Sequence, residues 1–124
     1  MLVSGGFDPV HKGHLEMIEK ASEMAEEVWV ILNNDFWLTR KKGKPFMDER
    51  DRMKIVSAIQ WVDEVFLSID TDKTVCKSLE EIKPDIFTNG GDRHNQEIPE
   101  SVVSRKYGIE LLEEWVKKLG VVLI

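Results

Sequence analysis

The chain has little cysteine and no long apolar run, and each absence excludes a class of protein. Cys76 is the one cysteine among 124 residues. It cannot form an internal disulfide, so we expect a reducing compartment, with the cytoplasm as the default. No apolar run approaches the roughly 20 residues that cross a bilayer, and residues 1–6 lack the apolar core of a signal peptide. We therefore expect a cytoplasmic protein with no membrane partner.

An excess of basic residues is also missing. Lys and Arg number 17 against 23 Asp and Glu, which gives a formal net charge of −6. This charge does not favour a nucleic-acid partner, because nucleic acids attract basic surfaces. Hydrophobic residues at 42% and charged residues at 32% are the balance of a soluble globular protein. The length suits one domain over residues 1–124, and the chain contains no internal repeat.

Short apolar runs alternate with amphipathic stretches. Four runs are predicted as buried strands: Leu2–Ser4, Val28–Leu32, Glu64–Leu67 and Asp85–Thr88. Apolar residues at helical spacing predict a helix after each of the first three runs, and Pro84 is expected to stop the third helix. Alternating strands and helices predict an α/β fold, a single Rossmann-like domain with a parallel five-stranded sheet and helices on both faces. The expected strand order is 3-2-1-4-5.

The C-terminal third carries weaker signals. Gly108 is expected to end a helix over Glu97–Tyr107. Apolar residues from Ile109 to Leu119 recur at helical spacing and predict a further helix. Gly120 would then release the chain into Val121–Ile124, which we predict as the fifth strand.

The first predicted strand runs directly into a glycine turn with two histidines. A strand, a glycine turn and a helix in this order place backbone N–H groups and the positive end of a helix dipole at the carboxyl edge of the sheet. Ligands bind at that edge in open α/β folds. His11 and His14 lie about one helical turn apart, and imidazoles can donate hydrogen bonds to phosphate oxygens as negative charge builds. The alternative is a tight turn that holds a pair of buried histidines.

The residues of this turn carry a family resemblance. Gly5-x-Phe7-Asp8-x-x-His11-x-Gly13-His14 matches the signature G-x-F-D-x-x-H-x-G-H at every defined position. The chain therefore resembles the HxGH nucleotidyltransferase superfamily, which includes glycerol-3-phosphate cytidylyltransferase, phosphopantetheine adenylyltransferase, heptose-phosphate adenylyltransferase and archaeal FAD synthetase. The resemblance implies that His11 and His14 are catalytic and hold the α-phosphate of a nucleoside triphosphate. It also implies a nucleotide-binding set in the turn: Gly5, Gly6, Phe7, Asp8 and Gly13.

A basic stretch follows the second predicted strand. On composition alone, Lys41, Lys42 and Lys44 indicate a solvated loop. After Asn33-Asn34-Asp35, however, they resemble the mobile basic loop that folds over the triphosphate in this superfamily, and Arg52 matches a family arginine. The resemblance implies that Lys41 or Lys44, with Arg52, neutralises the β- and γ-phosphates, and that Lys42 contacts the nucleotide.

The end of the fourth predicted strand resembles the family pattern K-P-D-x-x-x-x-G-G-D, from Lys83 to Asp92. The resemblance implies that Gly90 and Gly91 pack against the nucleotide and that Asp92 lies near the ribose or the metal-bound phosphates. A plain loop is the alternative for Asp92. The implied cofactor is Mg²⁺ bound mainly through substrate phosphates, with no metal site built by the protein.

The implied reaction is an in-line displacement on the α-phosphate. A nucleoside monophosphate, with CTP as the first choice of donor and ATP as the alternative, would pass to a phosphorylated small molecule and release pyrophosphate. A third alternative is a nucleotide-binding module with little turnover, since no I-S-[ST]-T-x-I-like segment follows Val121–Ile124, the predicted fifth strand. The sequence leaves the acceptor open, and a homodimer is compatible with the resemblance.

Overall fold

A single parallel sheet organises the protein. The computed structural model describes residues 1–70, 74–89 and 99–111. Its strands are β1 (Leu2–Gly5), β2 (Trp29–Leu32), β3 (Glu64–Leu67), β4 (Ile86–Asn89) and β5 (Glu110–Leu111). All neighbouring pairs are parallel, in the order β3-β2-β1-β4-β5, so the predicted fold class and strand order are confirmed. The central strand β1 has β2 on one side and β4 on the other, which places the topological switch point beside β1.

Helices cover both faces of the sheet. They are α1 (Lys12–Met24), α2 (Asp35–Lys42), α3 (Glu49–Ser57), α4 (Cys76–Ile82) and α5 (Pro99–Tyr107). On one face, residues of α1 and α3 such as Ile18 and Val56 pack in a buried cluster with Val30. On the other face, Leu79 of α4 packs with Ile31, and α5 contributes the partly buried Val103. The two apolar layers explain why the strands are continuous hydrophobic runs.

The helix α2 replaces the predicted basic loop. Its N-cap is Asn34, whose side-chain Oδ1 accepts a hydrogen bond from Trp37 N–H at 2.7 Å. Asp35 in the first turn complements the helix dipole. The helix ends at Gly43, whose φ of 94° is easy for glycine and costly for other residues. The loop prediction was wrong for Lys41 and Lys42, which lie in the last turn of α2, because the cap at Asn34 starts a helix that continues through them.

The fifth strand also lies elsewhere than predicted. The predicted end of α5 at Gly108 is confirmed, with a φ of 68°, and the chain then turns back to pair Glu110 with Ile86. The helix expected from Ile109 onward is therefore wrong at residues 110–111, because a short apolar run is compatible with helix or strand. Val121–Ile124 lies outside the described residues. The fifth strand in chain order is β5, which precedes the stretch predicted for it. Among the described residues, no helix is long and apolar enough to cross a membrane.

Candidate active site

The turn after β1 is shaped by side chains that pack against its glycines. A Cβ atom at Gly5 would lie 3.1 Å from the Phe7 ring, and one at Gly6 would lie 2.9 Å from Leu38 Cδ2. A side chain at Gly5 would require the Phe7 ring to give way by a few tenths of an ångström, and one at Gly6 would require the end of the Leu38 side chain to shift. Phe7 is buried and has a φ of 51°, a left-handed conformation that is costly for a bulky residue. Such strain is concentrated at functional sites, where the surrounding structure maintains it.

His11 and His14 are brought together at the start of α1. His11 is the N-cap, and its Nδ1 accepts a hydrogen bond from Gly13 N–H at 3.0 Å. His14 Nδ1 accepts from His11 N–H at 3.1 Å, which completes a reciprocal capping box. In a neutral imidazole with an accepting Nδ1, the proton resides on Nε2. The backbone thus selects the same tautomer for both histidines.

The surroundings of His14 keep it neutral. The two imidazole centroids are 4.0 Å apart, the Phe7 ring lies 4.7 Å from His14, and His14 is only 7% exposed. Burial, with a smaller contribution from the charge of His11, lowers the pKa of His14 to about 4. At pH 7 His14 is therefore a neutral hydrogen-bond donor through Nε2.

The buried carboxylate of Asp8 links two segments of the protein through hydrogen bonds. Its side chain is 1% exposed, and its carboxylate accepts hydrogen bonds from Phe46 N–H and Met47 N–H, both at 2.7 Å. Lys42 Nζ lies 2.7 Å from the same carboxylate and also donates to the Asp8 carbonyl oxygen at 3.0 Å. Burial disfavours the charged form, but the bonds from Lys42, Phe46 and Met47 outweigh it and lower the pKa of Asp8. Asp8 thus joins the turn after β1 to the segment before α3, and in this geometry its carboxylate is committed to protein donors.

The predicted phosphate-binding lysines fall into different environments. Lys42 is engaged with Asp8, although 41% of its side chain remains exposed. Lys44 is exposed in the segment between α2 and α3. Lys41 belongs to the last turn of α2, and its side chain lies outside the described part of the molecule. The structure therefore brings Lys42 to the turn after β1 and leaves the phosphate contacts of Lys41 and Lys44 as predictions.

Arg52 has a different setting from the one the sequence suggested. It is fully buried in α3, and its guanidinium donates to the Gly6 and Asn33 carbonyls at 2.9 and 2.6 Å. Its Nε donates to Met47 O at 3.0 Å, and its Nη2 pairs with Asp35 Oδ1 at 2.6 Å. Four of the five guanidinium N–H groups are thereby engaged with protein oxygens. Arg52 thus joins the turn after β1, the segment 33–35 and the segment before α3. This geometry disfavours a direct contact with the β- and γ-phosphates, which stays a prediction.

Of the four remaining predicted site residues, the structure describes one. Gly13 is buried in the first turn of α1, and its N–H group donates to His11. Gly90, Gly91 and Asp92 follow β4 and lie outside the described residues. Within the part that the structure describes, no cluster of three or more His, Cys, Asp or Glu side chains could hold a metal ion.

Three neighbours of the site were not among the predicted site residues. Asn33, Asn34 and Asp35 follow β2 directly, and each contacts Arg52 or the segment after β3. Asn34 Nδ2 donates to Ser68 O at 2.9 Å and Asp70 O at 3.0 Å, which fixes the start of α2. Their position after a buried strand was the available signal, since the carboxyl ends of parallel strands share one edge.

Comparisons with known proteins agree with this architecture. The sequence profile described as Cytidylyltransferase-like matches residues 2–120. A solved structure, the lipopolysaccharide core biosynthesis protein from Thermoplasma volcanium GSS1, has a TM-score of 0.72 and covers 89% of this chain and 90% of that one. At 24% identity it supports the fold alone.

Curated relatives extend over almost the whole chain. The FAD synthase of Methanosarcina acetivorans is 34% identical over 120 residues, which are 97% of this chain and 70% of that protein. The FAD synthase of Archaeoglobus fulgidus is 30% identical over 94% of this chain and 85% of its own length. The bifunctional protein HldE of Desulfatibacillum aliphaticivorans is 30% identical over 92% of this chain, but this region is 22% of that protein. The histidine pair at the head of α1 and the matches from end to end show that the chain belongs to the cytidylyltransferase-like family of nucleotidyltransferases.

Proposed function

We propose that this protein transfers an adenylyl group from ATP to a phosphorylated small molecule, with release of pyrophosphate. The observation that carries the proposal is the histidine pair: His11 and His14 stand at the N-terminus of α1, and their Nδ1 atoms are both occupied by backbone N–H groups. The arrangement presents Nε2 donors and the positive end of a helix dipole to an anion. A phosphate undergoing displacement is the anion that such a site suits.

The neutral state of His14 fits this chemistry. A donor that stays neutral at pH 7 can strengthen its hydrogen bond as charge accumulates on the α-phosphate oxygens, without first losing a proton. In-line phosphoryl chemistry needs positioning and charge stabilisation more than covalent participation by the protein. The low pKa of His14 therefore suits the role of transition-state donor and does not suit that of general acid.

The acceptor needs no strong base in this proposal. A phosphomonoester has its second pKa near 6, so its oxygen is already anionic at pH 7. Attack of that oxygen on the α-phosphate forms one P–O bond and breaks the bond to pyrophosphate, whose charge accumulates on the leaving group. Mg²⁺ held mainly by the phosphates would neutralise part of that charge. Lys44, exposed in the segment between α2 and α3, and Lys42, within reach of Asp8, are the described cations that we assign to the remainder.

ATP replaces CTP as the first choice of nucleotide. The motif alone does not distinguish the two nucleotides, and the sequence analysis placed CTP first. The relatives that match 97% and 94% of this chain are named FAD synthases. FAD contains an adenylyl group joined to FMN through a pyrophosphate bridge, so a synthase that completes it from FMN forms the bond described above. These relatives support ATP as donor and FMN as the first acceptor to test.

The direct test measures both products of the reaction. The protein with Mg²⁺ is incubated with ATP or CTP and with FMN or glycerol 3-phosphate, and pyrophosphate and the nucleotide product are quantified by chromatography. We expect FAD and pyrophosphate in equal amounts from ATP and FMN, and little product from CTP. Transfer that requires CTP would overturn the choice of nucleotide, and pyrophosphate release without any acceptor would overturn the transfer reaction itself.

A further inference from the structure

Phe7 has a strained backbone that is fixed on both sides. Its φ of 51° lies in the left-handed region, which glycine adopts easily and a bulky residue does not. On the side before it, Gly6 O accepts a hydrogen bond from Arg52 at 2.9 Å. On the side after it, the Asp8 carboxylate accepts bonds from two N–H groups of the segment before α3. Strain that the surrounding structure holds in this way is typical of functional sites.

The ring of Phe7 packs against His14. Phe7 is 2% exposed, and the two ring centroids lie 4.7 Å apart at an interplanar angle of 48°. A Cβ atom at Gly5 would lie 3.1 Å from Cε2 of the Phe7 ring. The ring therefore occupies the space that a side chain at position 5 would fill, and it contacts the imidazole that we assign to the α-phosphate.

Apolar packing alone does not explain a phenylalanine with this backbone. Glycine would adopt the same φ without cost, and a buried aromatic ring can be supplied by a residue in a regular strand, as Phe87 of β4 is. The direction of the His14 imidazole gives a second reason for the ring. Within the described residues this imidazole has one hydrogen bond, from His11 N–H to Nδ1. A single bond leaves a ring free to tilt, so packing must fix the direction of Nε2.

We propose that Phe7 is a positioning residue for His14, whose ring fixes the direction of the Nε2–H donor and keeps water from the imidazole. This inference rests on the proposed function, and it makes the ring act through His14 where the resemblance places Phe7 among the nucleotide-binding residues. A donor in a dry site interacts more strongly with a charged phosphate oxygen, because the local dielectric is low. Gly5 belongs to the same arrangement, since a side chain there would displace the ring.

The charged groups at this turn stay in place when the ring is removed. They are His11, Asp8, Lys42 and Arg52. The Asp8 carboxylate is paired with Lys42, and the Arg52 guanidinium is bonded to Gly6 O. Burial is the larger cause of the low pKa of His14, and the charge of His11 is the smaller one. Loss of the ring should admit water to the imidazole and raise the pKa of His14 toward its ordinary value.

The test uses two matched pairs of variants. Phe7→Leu removes the ring but keeps an apolar side chain, and Phe87→Leu makes the same change in the cluster on the other face of the sheet. Gly5→Ala places a Cβ atom against the Phe7 ring, whereas Gly6→Ala places one against a different side chain. The imidazole resonances of His14 are followed by NMR without ligand between about pH 7.5 and 4.5. Single-turnover transfer from ATP to FMN and the affinity for a non-hydrolysable ATP analogue are measured at pH 7.

The two phenylalanine variants should differ in their effect on His14. The wild-type imidazole should titrate little over this range, because its pKa is about 4. In Phe7→Leu the pKa of His14 should rise to about 5 or above, and transfer should slow by roughly 10- to 100-fold because the donor is misaligned. Affinity for the ATP analogue should stay within a few-fold of the wild type. Phe87→Leu should lower the melting temperature but change neither the titration of His14 nor the rate.

The glycine variants test the same contact with a smaller change. Gly5→Ala should shift the His14 resonances at constant pH, because the displaced Phe7 ring carries its ring current with it. Gly6→Ala should leave these resonances unchanged. If Phe7→Leu does not fold, this comparison decides, and unshifted His14 resonances in Gly5→Ala overturn the inference.

Two further results would overturn it. An unchanged titration of His14 in Phe7→Leu, or an equal change in Phe87→Leu, would assign Phe7 to core packing alone. Lost affinity for the ATP analogue with an unchanged titration would assign the ring to the nucleotide. The titration requires no substrate, so a protein in which Phe7 controls His14 but which forms no FAD would overturn the proposed function alone.

Discussion

Replacement of Arg52 by Met tests whether this arginine holds the site together or contacts the triphosphate. The variant keeps the aliphatic stem and removes four hydrogen bonds, three of them to the carbonyls of Gly6, Asn33 and Met47. The fourth partner, the Asp35 carboxylate, is 37% exposed and can be rehydrated, so the pair with it counts for little.

The cost of this change follows from the partners left behind. The Asn33 carbonyl bond is buried and the other two are part-buried, so each carbonyl left without a donor costs about 1 kcal/mol, which gives about 3 kcal/mol for the three. This agrees with the roughly 3–5 kcal/mol for removing one partner of a buried ion pair. For a domain of this size it corresponds to a decrease in melting temperature of about 10–20 °C. A domain with a total stability of about 5–15 kcal/mol should still fold.

Urea unfolding followed by circular dichroism measures the loss, with Arg50→Met, exposed on the same helix, as the matched control. Arg52→Lys should recover less than half of it, since one ammonium cannot replace the planar fork. Stability within about 1 kcal/mol of the wild type, together with a selective loss of triphosphate affinity, would refute the positioning role. In that case the direct phosphate contact implied by the resemblance would stand.

Three further changes probe single interactions at the site. Acidification from pH 6.5 to 4 should lower the free energy of unfolding by about 3 kcal/mol through His14. The reason is that the pKa of His14 is about 4 in the folded protein, so the unfolded chain binds the proton first. Urea unfolding at several pH values should show that the free energy of unfolding depends less on pH in His14→Asn than in the wild type. Lys44→Ala should weaken ATP binding by calorimetry several-fold more than AMP binding, and equal losses would contradict a contact with the leaving phosphates. Asp8→Asn should lower the melting temperature at pH 7, and the difference from the wild type should shrink as the pH falls through the lowered pKa of Asp8, because the bonds to the charged carboxylate are then lost in both proteins.

The fold and the histidine pair could be predicted from the sequence because local sequence patterns determine both. Buried strands alternate with amphipathic helices, and this alternation leaves few topologies open. His11 and His14 form their capping box within four residues, so neighbours in sequence determine the geometry. The motif that contains the two histidines can be recognised in the sequence for the same reason.

The sequence was less informative where distant segments determine the structure. Arg52 is buried because oxygens from Gly6, Asn33 and Asp35 converge on it, and no spacing in the sequence reveals that convergence. The strand β5 has two residues and depends on pairing with β4, so a helical pattern was an equally good description. The buried Oδ1 of Asn33, which has no hydrogen-bond partner in the described part of the chain, is likewise a property of the folded neighbourhood.

The central claim is that neutral imidazole donors stabilise the transferring α-phosphate, and the rate of a single turnover by His14→Asn tests it most directly. Asparagine keeps an oxygen that can accept from His11 N–H, so the cap is retained, but it has no group in the place of Nε2. Transfer from ATP labelled at the α-phosphate should slow by roughly 10²–10³ while the melting temperature at pH 7 stays within a few degrees of the wild type. A folded His14→Asn protein that transfers the label within a few-fold of the wild-type rate would contradict the account.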